Sequence, residues 1–135
     1  MDREPVVSRE QDLEWETWDE EEIPRKGLVY WKTLISKGFT PSENLTVGFA
    51  SLPPGGALNE HRHKQEEVYL VLEGSGLVRV GDEELTVEAG SVVFIPGDVL
   101  HSCENIGSSD LRAAYVFAAD SFDEVEYVFG DRAPE

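Results

Sequence analysis

The sequence predicts an all-β protein built from antiparallel strands. From Gly27 onward, short runs rich in β-branched and aromatic residues alternate with turn residues. The turns recur roughly every 8 to 12 residues, which leaves no room for the crossover helices that parallel strands require. The chain has 135 residues, enough to bury one core but not two. We therefore expect one antiparallel sandwich or barrel.

The predicted strands follow one another along the body of the chain. The run EVYLVL is apolar nearly throughout, so we expect a strand that is buried on both faces. A single helical turn is expected at 122–124, directly after Asp120 and Ser121. The predicted strands cover residues 28–35, 44–52, 67–72, 77–80, 84–87, 91–95, 111–117 and 124–129.

The first 25 residues differ in composition from the body. The run EQDLEWETWDEEE places eight acidic side chains around Leu13, Trp15 and Trp18. So dense a charge block repels itself and does not form a core alone. We expect the two tryptophans to anchor this arm on the body or on a partner subunit, and the alternative is a solvated leader. The predicted organisation is an acidic arm over 1–25, one barrel domain over 26–130 and a tail over 131–135.

Charge and composition exclude several classes of partner. The formal net charge is -17 and the pI is about 4.4, so a nucleic acid or an anionic membrane surface would be repelled. A single cysteine, Cys103, cannot form an internal disulfide. The sequence contains no signal-peptide pattern and no membrane-spanning apolar run, so a cytoplasmic location is expected.

Candidate metal ligands are concentrated in residues 55–74, GGALNEHRHKQEEVYLVLEG. If the backbone is one extended strand from His61 onward, alternation sends His61, His63, Glu67 and Tyr69 to the same face. Two imidazoles and a carboxylate on one face form three ligands for a divalent metal. His101 is a fourth candidate.

The spacing of these residues resembles that of a known family. It reads G-x5-H-x-H-x3-E-x6-G over 55–74 and G-x5-P-x4-H-x3-N over 90–105. The two stretches resemble the two motifs of the cupin superfamily, which implies an antiparallel double-stranded β-helix, or jelly-roll barrel. One departure is visible, because the second motif usually has glycine two residues after the proline, whereas here Gly97 directly follows Pro96.

The alternative reading places the histidines in an exposed loop and on the surface, but all three histidines of the chain fall at motif positions. Three neutral imidazoles and one carboxylate leave two open positions on an octahedral ion, which is a catalytic arrangement. Nitrogen and oxygen ligands without thiolate suit iron, manganese, nickel, cobalt or zinc, and the sequence does not choose among them.

Other side chains could face the same cavity. Tyr69 lies two residues after Glu67, so its phenol is either a base near the metal or a core tyrosine. Cys103 shares parity with His101, and a small buried hydrophobe is favoured over a group facing the ion. Arg79 and Arg112 would bind a carboxylate if they faced inward, but we expect both to point to solvent.

A narrower resemblance runs from Trp31 to Tyr127 and is to the small cupin lyases that cleave dimethylsulfoniopropionate. It is carried by WKTLI, LTVGFASLPPGG, HRHKQEEVYLV, IPGDVLHSCENIG and DSFDEVEYVF. In that family a metal holds the substrate carboxylate, and a tyrosine removes the proton on the adjacent carbon, which releases dimethyl sulfide and acrylate. The resemblance implies Tyr69 as the base and Tyr127 as a second tyrosine near the substrate. It also implies His61, His63, Glu67 and His101 as the ligands.

The substrate implied by this resemblance is a small carboxylate. A sulfonium group suits a cavity with aromatic faces, and the available aromatic residues are Tyr30, Trp31, Phe49, Phe94, Tyr115 and Phe117. The family's aromatic positions differ at the strand LRAAYVF, where Ala113 and Ala114 are small. The alternatives are an iron-dependent dioxygenase and a non-catalytic module that binds a small molecule.

Cupins commonly pair through their first strands, and the apolar run at 28–35 suits an edge covered by a partner. We therefore expect a homodimer, assisted by the arm.

Overall fold

The structure is a computed structural model that describes residues 4–129, so the predicted tail at 131–135 lies outside the described residues. Ten strands are present in that part of the chain. They are β1 (Tyr30–Ile35), β2 (Thr46–Leu52), β3 (Ala57–Arg62), β4 (Glu67–Glu73), β5 (Ser75–Val80), β6 (Glu83–Glu88), β7 (Val92–Ile95), β8 (His101–Asn105), β9 (Leu111–Phe117) and β10 (Val128–Phe129).

The strands form two five-stranded sheets in the orders β1-β2-β9-β4-β7 and β10-β3-β8-β5-β6. Every strand pair is antiparallel. The predicted antiparallel all-β fold is therefore confirmed. Side chains from both sheets meet in one core, in which Val78, Ile95, Leu111 and Phe117 are almost completely buried. The two sheets thus enclose a jelly-roll barrel.

Helical structure is confined to single turns in the described residues. The α-helix α1 (Ile23–Lys26) follows the 3-10 turns Glu10–Asp12 and Glu20–Glu22. A third 3-10 turn, Phe122–Glu124, lies where a helical turn was predicted. The predicted strand at 124–129 is wrong over its first four residues, because this turn extends to Glu124 and strand pairing begins only at β10. Within residues 4–129, no helix has the length and apolarity needed to cross a membrane.

The prediction of one extended strand from His61 onward is also wrong. β3 ends at Arg62 and β4 begins at Glu67, and the two strands belong to different sheets. The intervening residues 63–66, HKQE, are polar and provide no apolar alternation to continue a strand. The chain turns there, and a backbone hydrogen bond from Asp98 N–H to the His63 carbonyl (2.7 Å) holds the turn.

Burial of β4 on both faces is a further wrong prediction. Its inward residues are buried, whereas Leu70 and Leu72 are 39% and 42% exposed. Each strand of a two-sheet barrel has one inner and one outer face, and the outer face of β4 has no covering layer within the described residues. Val92 (64% exposed) and Phe94 (56%) of the adjacent strand β7 extend this surface. We call these four residues the outer patch.

The described part of the acidic arm, residues 4–25, lies against the barrel. Glu16 and Trp31 exchange both backbone hydrogen bonds (2.8 and 3.0 Å), so the arm pairs with the free edge of β1. Glu10 accepts a hydrogen bond from Arg112, and its carbonyl accepts one from Lys32 Nζ at 3.0 Å. The division of the chain at residue 25 stays a prediction.

Candidate metal centre and ligand cavity

The three histidines form one buried cluster. His61, at the end of β3, pairs across the sheet with His101, at the start of β8, and their ring centroids are 4.2 Å apart. His63 lies in the turn after β3, with its ring 4.9 Å from that of His101. One potential ligand atom from each residue lies within 4.8 Å of the others. The three side chains are therefore positioned to bind a metal ion.

Each imidazole is oriented by a backbone carbonyl. Because a carbonyl can only accept a hydrogen bond, each Nδ1 donates to its carbonyl, and Nε2 is the ring nitrogen left to face the cluster. This arrangement fixes ring orientation and leaves Nε2 available for a metal. The three contacts are His61 Nδ1 to Asn59 O (2.8 Å), His63 Nδ1 to Gln65 O (3.0 Å) and His101 Nδ1 to Val99 O (2.8 Å).

Glu67 brings a buried carboxylate to the cluster from the opposite sheet. Its Oε1 lies 3.1 Å from His63 Nε2 and 3.5 Å from His101 Nε2. The structure thus assembles the four predicted ligands from both sheets and the turn between them. Strand alternation along one strand does not bring them together.

The donor set fits a divalent transition metal. Among residues 4–129, His61 Nε2 and His101 Nε2 have no hydrogen-bond partner. A buried acceptor without a partner is costly, and a cation would satisfy both nitrogens. Burial lowers the pKa of His61 well below its ordinary value, and the neighbouring His101 adds to this effect. His61 is therefore in the neutral form that binds metals.

The departure in the second motif has a structural explanation. Asp98, two residues after Pro96, has φ +62° and so adopts the left-handed conformation for which glycine is the usual residue. Aspartate is among the few other residues that tolerate it. At Gly97, an added Cβ would lie 2.4 Å from the Lys64 carbonyl oxygen. The 96–98 turn therefore packs closely on the turn that carries His63.

A cavity of about 60 Å³ lies next to the cluster. The Tyr69 hydroxyl is buried there and has no hydrogen-bond partner among the described residues. The Tyr127 ring stacks on His61 with centroids 4.9 Å apart. Most of the wall is apolar, and its lining includes Trp18, Trp31, Leu58, Glu67, Tyr69, Val71, Cys103, Ala113, Tyr115, Phe122 and Tyr127.

Burial controls protonation in this cavity. It raises the pKa of Tyr69 and Tyr127 well above the ordinary value for tyrosine, and the Glu67 carboxylate raises both further. Burial also raises the pKa of the Cys103 thiol to about 12. All three groups are neutral at pH 7, and Cys103 lines the cavity as a neutral thiol.

The remaining predicted residues divide between wall and surface. Arg79 is exposed and pairs with Glu84 at 2.9 Å, while Arg112 is bound to Glu10, so neither arginine lines the cavity. Two of the predicted aromatic residues, Trp31 and Tyr115, line it. The other four are not part of the lining, namely Tyr30, Phe49, Phe94 and Phe117.

Two aromatic lining residues were missed as cavity residues. Trp18 was predicted only as an anchor, because a charged arm gives no sign that it reaches a cavity. Phe122 lies in a 3-10 turn, where no strand alternation exists to assign it a face. The only sequence signal for both was a large aromatic residue among acidic neighbours.

Fold and site together define a member of a known family. Residues 48–117 match the family model for the cupin domain. The chain belongs to the cupin family.

Two relatives indicate which members of the family this chain is similar to. The chain is 41% identical over 106 residues to the dimethylsulfoniopropionate lyase DddW of Ruegeria pomeroyi, covering 78% of this chain and 69% of that protein. It is 33% identical over 88 residues to an oxalate-binding protein of Thermotoga maritima, covering 64% and 73%.

Superposition on solved structures supports the assignment to this family. A predicted oxalate decarboxylase of Thermotoga maritima superposes with a TM-score of 0.72 and 27% identity, covering 84% of this chain and 99% of that one. The polyketide cyclase RemF of Streptomyces resistomycificus has a TM-score of 0.75 at 18% identity, covering 96% and 88%, and that likeness shows the fold alone.

Proposed function

We propose that this protein is a metal-dependent lyase acting on a small carboxylate, with dimethylsulfoniopropionate as the leading substrate. The observation that carries the proposal is the Tyr69 hydroxyl, which is buried without a partner among the described residues in a cavity next to the histidine cluster. The Tyr69 ring is 6.4 Å from that of His101. The similarity to the lyase DddW supports the same reaction class.

In this proposal, His61, His63, Glu67 and His101 hold one divalent transition metal, whose identity among iron, manganese, nickel, cobalt and zinc is open. When bound, the metal would offset the Glu67 charge and stabilise negative charge on the substrate carboxylate and on a nearby phenolate. The protein supplies neutral imidazoles, a dry cavity and fixed ring orientations.

Tyr69 acts as the base: its neutral hydroxyl first loses its proton to solvent, and the resulting phenolate oxygen then accepts a proton from the carbon beside the carboxylate. The C–H electron pair becomes the new carbon–carbon double bond, and the C–S bond breaks with its pair remaining on sulfur. The products are acrylate and dimethyl sulfide, and the proton passes from Tyr69 to solvent. Tyr127, stacked on His61, positions the substrate against the cluster.

The reaction is tested by incubating the metal-loaded protein with dimethylsulfoniopropionate and measuring dimethyl sulfide by gas chromatography, with DddW assayed in parallel. We expect Tyr69→Phe to lower kcat by about 100-fold or more while metal content stays unchanged, because only a proton acceptor is lost. Tyr30→Phe is the matched control, since Tyr30 is half-buried on β1 and does not line the cavity. Release of no dimethyl sulfide while DddW is active would exclude this lyase function.

A second candidate is a protein that binds a small carboxylate without chemistry. The similarity to the oxalate-binding protein favours it. The two candidates differ in what Tyr69→Phe does: a lyase loses turnover, whereas a binding protein shows no turnover and unchanged affinity for the carboxylate.

We also propose that the protein is a cytoplasmic homodimer. The outer patch presents four large apolar side chains on one sheet face, and no charged residue is among them. In a chain with a net charge of -17, such a surface suits an uncharged partner surface like itself.

A further inference from the structure

Trp18 brings the acidic arm into the wall of the ligand cavity. Its ring and that of Trp31 both line the cavity, with centroids 4.7 Å apart. On its other sides the Trp18 ring contacts Tyr127 at 5.9 Å and Phe129 at 5.8 Å, and Lys26 Nζ lies 4.5 Å over its face. Trp18 precedes Trp31 by 13 positions in the sequence. It therefore completes the wall of a cavity that is otherwise lined mainly by residues of the barrel.

The indole N–H groups of Trp18 and Trp31 are both buried, and neither has an acceptor within residues 4–129. Indole nitrogen can only donate a hydrogen bond. A buried donor without an acceptor is costly, and native proteins keep few of them. Two such donors on adjacent rings of one cavity indicate that a ligand supplies the acceptor.

We propose that Trp18 is a specificity-determining residue that, with Trp31, donates indole N–H hydrogen bonds to an oxygen of a small organic acid. The surrounding wall is mostly apolar, so an oxygen acceptor there has few competing donors. The Tyr127 ring contacts Trp18, with centroids 5.9 Å apart, and is stacked on His61, so the Trp18 side of the cavity adjoins the histidine cluster. The inference rests on the proposed carboxylate site but not on the lyase reaction.

The arm is attached to the barrel independently of Trp18. Glu16 pairs with Trp31 through two backbone hydrogen bonds, and Glu10 is bound to Arg112 and Lys32. Replacing Trp18 by phenylalanine retains an aromatic ring in the cluster and removes the donor together with the second ring of the indole. Trp18→Phe therefore tests the hydrogen bond without detaching the arm.

Trp15 provides the matched control. It belongs to the same arm, but its ring lies over Lys32 Nζ at 4.5 Å and is not part of the cavity lining. Trp15→Phe therefore removes an indole N–H outside the site.

The experiment uses the full-length, zinc-loaded protein and three probes: acrylate, oxalate and dimethylsulfoniopropionate. Calorimetric titration measures affinity, and ¹⁵N-resolved NMR follows the three tryptophan indole N–H resonances. We expect two resonances to move downfield with the ligand, one of which is absent in Trp18→Phe. We also expect Trp18→Phe to weaken binding by about tenfold, the scale of one hydrogen bond to a charged acceptor. Trp15→Phe should leave both measurements unchanged.

The outcomes separate this inference from the lyase proposal. If a probe binds and Trp18→Phe weakens it, the inference stands even when no dimethyl sulfide is released. If Trp18→Phe binds every probe as the wild type does, or no indole resonance moves, the inference is overturned even for an active lyase. Failure of all three probes to bind the wild type also overturns it.

Discussion

Glu67 is an acidic residue that is almost completely buried. Its carboxylate is 4% exposed and lies 3.1 Å from an imidazole that is neutral in its metal-binding form. A buried carboxylate without a cation is costly. A divalent ion would therefore be stabilised by Glu67 and would in turn offset the buried negative charge of the carboxylate.

We predict that Glu67→Gln lowers affinity for manganese or zinc by about tenfold or more, because a charged ligand becomes a weak neutral one. Metal content after dialysis and the rise in Tm on metal addition measure this effect. Glu66→Gln is the control, since the adjacent Glu66 is exposed. Equal metal retention by the two variants would show that Glu67 is not a ligand.

At the residue scale, sequence reasoning selected residues that do lie together, but for a wrong geometrical reason. Alternation along one strand places side chains on a common face only while the strand continues, and this strand ends at Arg62. The spacing of the motif instead reflects a turn that brings β3 and β4 to the same cavity. Single-sequence patterns do not report which sheet a strand will join.

Among the structural elements, the turn at 96–98 matters most for the cluster, because it packs on the turn that carries His63. Gly97 lies so close to the Lys64 carbonyl that backbone would have to move to admit a Cβ. Asp98 has a left-handed conformation, which glycine adopts freely.

We therefore predict that Gly97→Ala lowers the free energy of unfolding by about 2 kcal/mol, through strain at a tight contact. Asp98→Gly should change it by less than about 1 kcal/mol, since relief of the left-handed conformation offsets the greater freedom of the unfolded chain. Urea denaturation of the two variants measures both values. A larger loss for Asp98→Gly than for Gly97→Ala would contradict the assigned role of this turn.

The strands themselves were predictable to different degrees. The run 111–117 matches β9 and the run 67–72 nearly matches β4, because their β-branched and aromatic residues are dense. β3 and β8 were not predicted as strands, since NEHR and HSCEN are polar and lack alternation. These strands carry His61 and His101. The polar side chains at the candidate metal site take the place of the apolar alternation by which a strand is recognised in a sequence.

At the scale of the whole molecule, the outer patch is the surface that most needs an explanation. Phe94 and Val92 on β7 and Leu70 and Leu72 on β4 are all more than one-third exposed. The edge of β1, which the sequence favoured for pairing, is partly covered by Glu16 of the same chain. The outer patch is therefore the better candidate surface for the proposed homodimer.

We predict that Phe94→Asp converts a wild-type dimer to a monomer in sedimentation velocity, because a carboxylate at the patch would be buried against its own copy. Ile106→Asp is the control, since Ile106 is 52% exposed but lies outside the patch. A wild-type monomer, or a Phe94→Asp dimer of unchanged stability, would rule out this interface.

The proposed metal ligands are divided between the two sheets, and this division has a kinetic consequence. His61 and His101 belong to one sheet and Glu67 to the other, so a bound ion would act as a cross-link between the layers. The ligands are buried and lie in both layers, so the ion is released only when part of the barrel opens. Loss of metal would then proceed at the rate at which the barrel opens and would not depend on chelator concentration.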